Sequence, residues 1–448
     1  MTMASDAQNP LAGLANLGRI PELRRRILFT LAMLVVYRIG AHVPTPGIDP
    51  NALAAFFAQQ QGTLLGMFNM FSGGALSRLT VFALGIMPYI SASIILQLMT
   101  SVVPRLEAIK KEGESGRRRI NQYTRYGTVV LSLFQGLGIA YGLESMQAGG
   151  TSVVIEAGWH FRMMTVITLT AGTAFIMWVG EQITARGIGN GISLIIFSGI
   201  VANLPVALAH TLELARTGDL QPLFVVFLLV MSVAVTAFII FMERAQRRIP
   251  VQYAKRQISG RTVVGGETTH LPLKVNTAGV IPPIFASSII LFPVTLANFA
   301  PWSFVQELAN QLSPGHLLYM VCYGAAIVFF CFFYTAIVFN PEETADNLRK
   351  YGGFIPGIRP GQKTSMFFDT VLTRLTLIGS VYVVAVCLLP EILIASYNVP
   401  FYFGGTSILI VVGVTMDTTA QIQSFLISRQ YEGLMKKARI RGRSSIPS

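Results

Sequence analysis

The sequence predicts an all-α membrane protein of ten transmembrane helices with one short re-entrant helix, and three observations predict it. The 448 residues are 52% hydrophobic and 12% charged, against about 25% charged in soluble domains. Ten apolar stretches approach the roughly 20 residues that cross a bilayer as a helix. They run over 27–43, 76–100, 123–143, 161–181, 188–206, 222–242, 275–296, 316–339, 371–390 and 404–427. Basic residues fill every second loop between them, as a correct count requires, because Lys and Arg collect on the cytoplasmic side.

In chain order, segment 1–26 carries Arg19, Arg24, Arg25 and Arg26, and 10–26 reads as an amphipathic helix on the inner surface. Loop 104–125 carries seven Lys or Arg, Arg186 adds one, loop 243–274 carries seven, 341–374 five and the tail 428–448 six. These account for thirty of the 34 basic residues. Both termini are then expected in the cytoplasm, and the net charge of +13 is mostly a topology signal. No cleavable signal peptide is expected, since the first 26 residues are polar and small and end in an Arg cluster. The spans divide into an N-terminal half, 27–206, with five, and a C-terminal half, 207–427, with five more.

One apolar run is too long. Leu64 to Met99 carries a single charge, Arg78, and is interrupted at Ser72-Gly73-Gly74. Two adjacent glycines weaken a helix and free the backbone to turn. The expected product is a short half-helix followed by a full span. Backbone that leaves the helix at membrane depth must be buried in protein or line a water-filled cavity, so this segment suggests a channel with something folded inside it.

Catalytic chemistry is not legible. His42, His160, His210, His270 and His316 lack zinc-ligand spacing, and Cys322, Cys331 and Cys387 fall inside spans. The segment Gly357 to Thr364 imitates a phosphate loop, but Gln362 separates Gly361 from Lys363, and Pro360 removes a backbone donor. Neither enzyme activity nor a cofactor is expected, so a partner must supply any energy. A secondary transporter of the 5+5 inverted-repeat type is the alternative, but it needs ionisable groups near the midplane. Asp417 in the tenth span is the clearest exception to their scarcity, and an ion pair with Arg374 is its expected role.

Ile86 and Ile90 share a helix face at i and i+4, and Ile192 and Ile196 repeat the spacing after Gly187-Ile-Gly-Asn-Gly191. Such residues usually pack against neighbours or lipid. Narrowed into a ring, they would block ions by dewetting. Loop 243–274 alternates apolar and basic residues around Val251, Tyr253, Val263 and Val264, with Gly265-Gly266 as turn signal, and reads as a basic hairpin. Loop 341–370 is rich in turn dipeptides. Together with 104–125 these loops resemble a docking platform for an acidic or RNA-rich partner.

Nine stretches are specific: MFSGGALSR (70–78), FALGIMPYISASIILQL (82–98), KKEGESGRRRINQYTRYGT (110–128), GEQITARGIGNGIS (180–193), RRIPVQYAKRQ (247–257), THLPLKVNTAGVIPPIFASSIILFP (269–293), FNPEETADNL (339–348), PGIRPG (356–361) and VPFYFGGTSILI (399–410). Through them the chain resembles the SecY family over essentially its whole length. The resemblance implies a clamshell of two inverted pseudo-symmetric five-helix halves. It also implies a passive channel that passes unfolded secretory polypeptides across the bacterial plasma membrane and releases apolar segments sideways into the lipid bilayer.

Carried over motif by motif, the pore ring is Ile86, Ile90, Ile192, Ile196, Ile284 and Ile410. The plug is Thr63, Leu64, Leu65, Gly66, Met67, Phe68, Asn69, Met70, Phe71, Ser72 and Gly73. Gln97, Gln135 and Asn276 are expected at the lateral gate, where amides in a low-dielectric seam bond one another until a signal sequence displaces them. Arg359, Lys255 and Arg256 are expected to meet the SecA ATPase or a ribosome. SecE, SecG and accessory insertion or SecDF-type subunits complete the partners that the resemblance implies, with unfolded preproteins as substrate. Pro282-Pro283 before Ile284 is a local difference expected to sharpen a kink in the seventh span.

Overall fold

The computed structural model describes residues 21–53, 72–145, 147–148, 151–217, 221–253, 256–258, 262–264, 268–297, 311–312, 316–397 and 405–443. Its helices are α1 (Pro21–Gly40), α2 (Met87–Val102), α3 (Pro104–Lys111), α4 (Glu114–Ser145), α5 (Trp159–Arg186) and α6 (Gly191–Thr217), then α7 (Pro222–Arg244), α8 (Ile281–Ala297), α9 (Leu317–Val338), α10 (Pro341–Lys350), α11 (Gln362–Tyr397) and α12 (Gly405–Arg443). Among the described residues, all but α3 and α10 overlap the ten expected spans. Seven helices are by themselves long and apolar enough to cross a membrane. The helices of the first, second and seventh spans fall short: α1 begins with an Arg cluster, α2 has 16 residues, and α8 starts only at Ile281.

The chain forms two units. The first runs to Asn203 and resumes at Val414; the second runs from Leu204 to Gly413, so α6 and α12 each contribute to both.

In the first unit, Pro21 opens α1 where its missing N–H is harmless, and Arg24 to Arg26 lie in its first turns. Residues 21–26 thus continue into the span instead of forming a separate surface helix; residues 10–20 lie outside the described residues. Arg26 stacks over the Phe425 ring at 5.3 Å. The second span departs most from expectation. Residues 72–86 are a succession of turns, and helix begins only at Met87. Gly73, Gly74 and Gly85 take positive φ (68°, 83° and 56°), as does Leu79 (36°), so the helical ladder cannot propagate through them.

At the other end of α2 the chain bends by 98° into α3. Val103 is extended there (φ −95°, ψ 112°) because Pro104 disfavours helix in the residue before it. Most of the expected loop 104–125 is helical, in α3 and the first turns of α4. Outside the helices, β1 (Gln147–Ala148) pairs antiparallel with β2 (Thr151–Ser152), Thr45 N–H bonds Leu79 O at 2.9 Å, and Asp49 N–H bonds Val153 O at 3.0 Å.

The second unit holds α7 to α11 and a sheet ordered β6-β3-β7, from β3 (Gln246–Tyr253), β6 (Thr268–Lys274) and β7 (Gly353–Phe354). The strands β4 (Arg256–Ile258) and β5 (Thr262–Val264) pair in the same register as β3 and β6, with both ladders centred on Gly260. β4 thus pairs with β5 beyond the β3–β6 ladder, and Gly265-Gly266, the expected turn, lie outside the described residues. A core of Ile249, Leu273, Ala345, Ile355, Phe368, Val371, Leu372 and Leu375 ties the hairpin to α10, β7 and α11. The two basic segments 243–274 and 341–370 are thus one folded body rather than separate loops.

Candidate functional site

The non-helical segment 72–86 is buried by glycines on three helices of the first unit. A Cβ at Gly172 of α5 would lie 1.9 Å from the Val81 carbonyl oxygen, and one at Gly40 of α1 would lie 2.1 Å from the Phe82 ring. A Cβ at Gly73 itself would stand 3.0 Å from Cα of Gly199 on α6. The ring of Phe82 stacks between Tyr37 and Phe175, with both centroid distances 5.9 Å. Backbone hydrogen bonds close inside the segment (Thr80 N to Ala75 O, 2.9 Å; Gly85 N to Phe82 O, 2.8 Å) or reach the residues after α1 (Val81 N to Val43 O, 2.9 Å). Polar backbone in hydrocarbon needs this satisfaction.

Ile86 ends the segment and stands at the N-cap of α2, and Ile90 follows one turn later, its N–H bonded to Ile86 O at 3.1 Å. The pair therefore keeps helical spacing although the helix begins after its first member. Both are buried, at 4% and 5% exposure. Ile192 and Ile196 stand in the first two turns of α6, which Asn190 initiates by accepting the Ile192 N–H on Oδ1 at 3.1 Å. A Cβ at Gly191 would lie 2.0 Å from Gly180 O, so only glycine lets α6 meet α5 there; Ile192 packs over Gly180 and Ile196 is buried. The turn is held by Thr30, whose Oγ1 accepts the Ile188 N–H at 3.1 Å.

In the second unit, Gly413 of α12 meets Val280, where a Cβ would come within 2.3 Å of Cγ1. Ile410 and Ile284 lie about one turn from that crossing on their two segments, and both are buried. Pro282-Pro283 fall in the first turn of α8, where absent N–H groups cost nothing, so they start the helix and do not kink it.

Of the plug residues, Ser72 and Gly73 are described and Thr63 to Phe71 lie outside the described residues. Gln97 on α2 donates to Ser93 Oγ at 3.3 Å. The side-chain oxygens of Gln97 and Gln135 are buried with no hydrogen-bond partner among the described residues, a costly state for an amide. Asn276 is placed differently. Its amide donates to Glu243 Oε1 (2.5 Å) and Gly279 O (3.1 Å) and accepts from Gly279 N–H, so it organises the turn into α8.

Arg359 is exposed on a turn whose flanks, Ile355 and Ile358, engage the core of the second unit, and Thr364 Oγ1 donates to its carbonyl at 3.0 Å. Arg256 stands on β4, while Lys255 lies outside the described residues. Arg374 and Asp417 are both exposed, so neither charge needs a buried partner. The contacts of Gly40, Gly172 and Arg38 with segment 72–86 were not anticipated from the sequence. A small residue facing a glycine-broken run was the available signal.

Residues 80–419 match the SecY family model. The protein translocase subunit SecY of Escherichia coli K12 is 58% identical over 429 residues, covering 95% of this chain and 96% of that protein. Two solved structures share the fold. One, described as that of a protein conducting channel, has a TM-score of 0.66 at 17% identity, covering 92% of this chain and 96% of that one. The other, a yeast Ssh1 complex bound to the yeast 80S ribosome, has a TM-score of 0.61 at 15% identity, covering 93% of each chain.

Proposed function

The chain belongs to the SecY family, and we propose that it is the pore-forming subunit of a protein translocase whose permeability barrier is a ring of Ile86, Ile90, Ile192, Ile196, Ile284 and Ile410. The observation that carries the ring is the buried turn segment 72–86, which ends at Ile86. A chain whose membrane span is non-helical over 76–86 must shelter that backbone in protein or line a cavity with it. Aliphatic side chains suit such a barrier, because a narrow apolar constriction excludes hydrated ions by dewetting. It has no fixed polar groups that would favour one passing sequence over another.

Thr63 to Gly73 form the plug, and Gln97 and Gln135 border the lateral gate. Their buried side-chain oxygens support this: with no partner among the described residues, they lose no hydrogen bond when the seam opens. Asn276 serves the gate indirectly, by fixing the turn into α8 through Glu243 and Gly279. The secondary-transporter reading is not supported, and Asp417, its best coupling group, is exposed.

Force comes from outside the chain, from SecA or from a ribosome, and the ribosome-bound yeast relative supports the second. Arg359, Lys255 and Arg256 meet these partners; the exposure of Arg359 beside the body formed by β3, β6, β7 and α10 supports this. SecE, SecG and SecDF-type subunits assemble around the channel. Alternation of basic loops supports a multi-pass protein of the bacterial plasma membrane with both termini in the cytoplasm. Vesicles holding this chain with SecE and SecG should protect an unfolded precursor from external protease only when SecA and ATP are added. Protection without SecA, or none with it, contradicts the proposal.

A further inference from the structure

The turn segment behind Ile86 closes on itself. A Cβ on Gly85 would lie 3.6 Å from both Cα and Cβ of Ser72, so residues 72 and 85 are neighbours and 72–85 form a compact loop whose ends meet. Ile86 follows directly. At this closure Arg38 Nη1 donates to the Gly73 carbonyl at 2.9 Å. Tyr37 Oη approaches the Ser72 carbonyl at 3.4 Å, a length at which a hydroxyl contributes little, and Tyr37 acts mainly through its stacking on Phe82.

Arg38 stands in the last turn of α1, where the helix dipole favours a cation. Its guanidinium is directed onto loop backbone where sheltered bonds are strong, and a charge-assisted donor is about twice as strong as a neutral one. A Cβ on Gly73 would lie 3.0 Å from Cα of Gly199 and 3.4 Å from Arg38 Nη1, so only glycine lets the loop close this near α6 and the guanidinium.

We infer that Arg38 is a positioning residue for the pore ring: by holding the Gly73 carbonyl it keeps loop 72–85 closed and so fixes where Ile86 stands. The inference rests on the reading of Ile86 as a ring residue. A purely structural cation at the end of α1 would affect stability, whereas a positioning residue acts on permeability through Ile86.

The test is ion leak in vesicles reconstituted with the full chain and its partner subunits. Arg38→Met should raise resting leak about tenfold, the scale of losing one charge-assisted hydrogen bond. Arg38→Lys, which keeps a cationic donor, should stay within about twofold of the parent. In an Ile86→Gly channel, already leaky, adding Arg38→Met should change leak by less than about twofold, because residues acting through one element are not additive. If Arg38→Met does not assemble, Arg38→Gln, which keeps a donor without the charge, should leak more than about twofold above the parent and more than Arg38→Lys. A tight Arg38→Met or Arg38→Gln channel, or an equal rise in both backgrounds, overturns the inference while leaving the ring intact. An Ile86→Gly channel that stays tight overturns the ring reading and this inference with it.

Discussion

Replacing Gly172 with alanine should push the buried segment 72–86 out of its seat. The new methyl would lie 1.9 Å from the Val81 carbonyl oxygen and 2.8 Å from its carbon, where ordinary contact begins at 3.4 Å. One of the two backbones must therefore yield by about 1.5 Å. The oxygen cannot swing aside as a flexible side chain would, because Val81 is also tied by its N–H to Val43 O at 2.9 Å. Overpacking of this kind costs about 1–3 kcal/mol, and a backbone overlap falls at the upper end. Alanine returns about 1 kcal/mol of helix propensity in α5, which leaves a net loss near 2 kcal/mol. Gly324 in α9 supplies the control: its Cβ would meet the Val384 and Leu388 side chains at the ordinary contact distances of 3.4 and 3.9 Å, so Gly324→Ala should be neutral or slightly stabilising. Thermal unfolding in detergent reads the stability difference, and ion leak reads displacement of Ile86. Gly172→Ala that is as stable and as tight as Gly324→Ala would refute the packing argument.

Three further outcomes follow from named contacts. Asn276→Ala removes the amide donor to Glu243 and both bonds to Gly279, and should cost about 1–3 kcal/mol in thermal unfolding; an unchanged midpoint would contradict the turn assignment. Arg359→Glu should impair SecA-driven translocation by at least about tenfold, on the scale of charge reversal at an interface, while the protein stays assembled with SecE, because Arg359 is exposed and the core beneath it is untouched. Normal translocation would remove Arg359 from the docking surface. Asp417→Asn should leave translocation intact, since a passive channel needs no coupling carboxylate; loss of transport in an assembled protein would revive a proton relay.

What the sequence made legible follows from the range of each physical signal. Hydropathy and loop charge act over twenty residues, so the helices matching the ten spans could be placed from composition. The start of α2 could not. A glycine pair at Gly73-Gly74 announces a break, but how far it extends depends on Gly85, on Leu79 at positive φ and on shelter from the distant Gly40 and Gly172. The hairpin was legible as an alternation, which the pairing of Gln246 to Gln252 with Lys274 to Thr268 bears out. The two-residue strand β7 leaves no periodic trace, so the joining of two basic loops into one sheet was invisible. Pro282-Pro283 illustrate the same limit, because proline inside a helix kinks it and proline in its first turn starts it. Ile86, Ile90, Ile192 and Ile196 were visible as spacing, whereas Ile284, Ile410 and the proposed ring came from resemblance alone.

The central claim is that these isoleucines are the seal. Replacing Ile86, Ile90, Ile192, Ile196, Ile284 and Ile410 with glycine, singly and together, and measuring resting ion conductance of the reconstituted channel tests it most directly. The account predicts a resting leak that rises with each substitution and is largest for the sixfold variant. A sixfold variant that remains folded, assembled and as tight as the parent would contradict it.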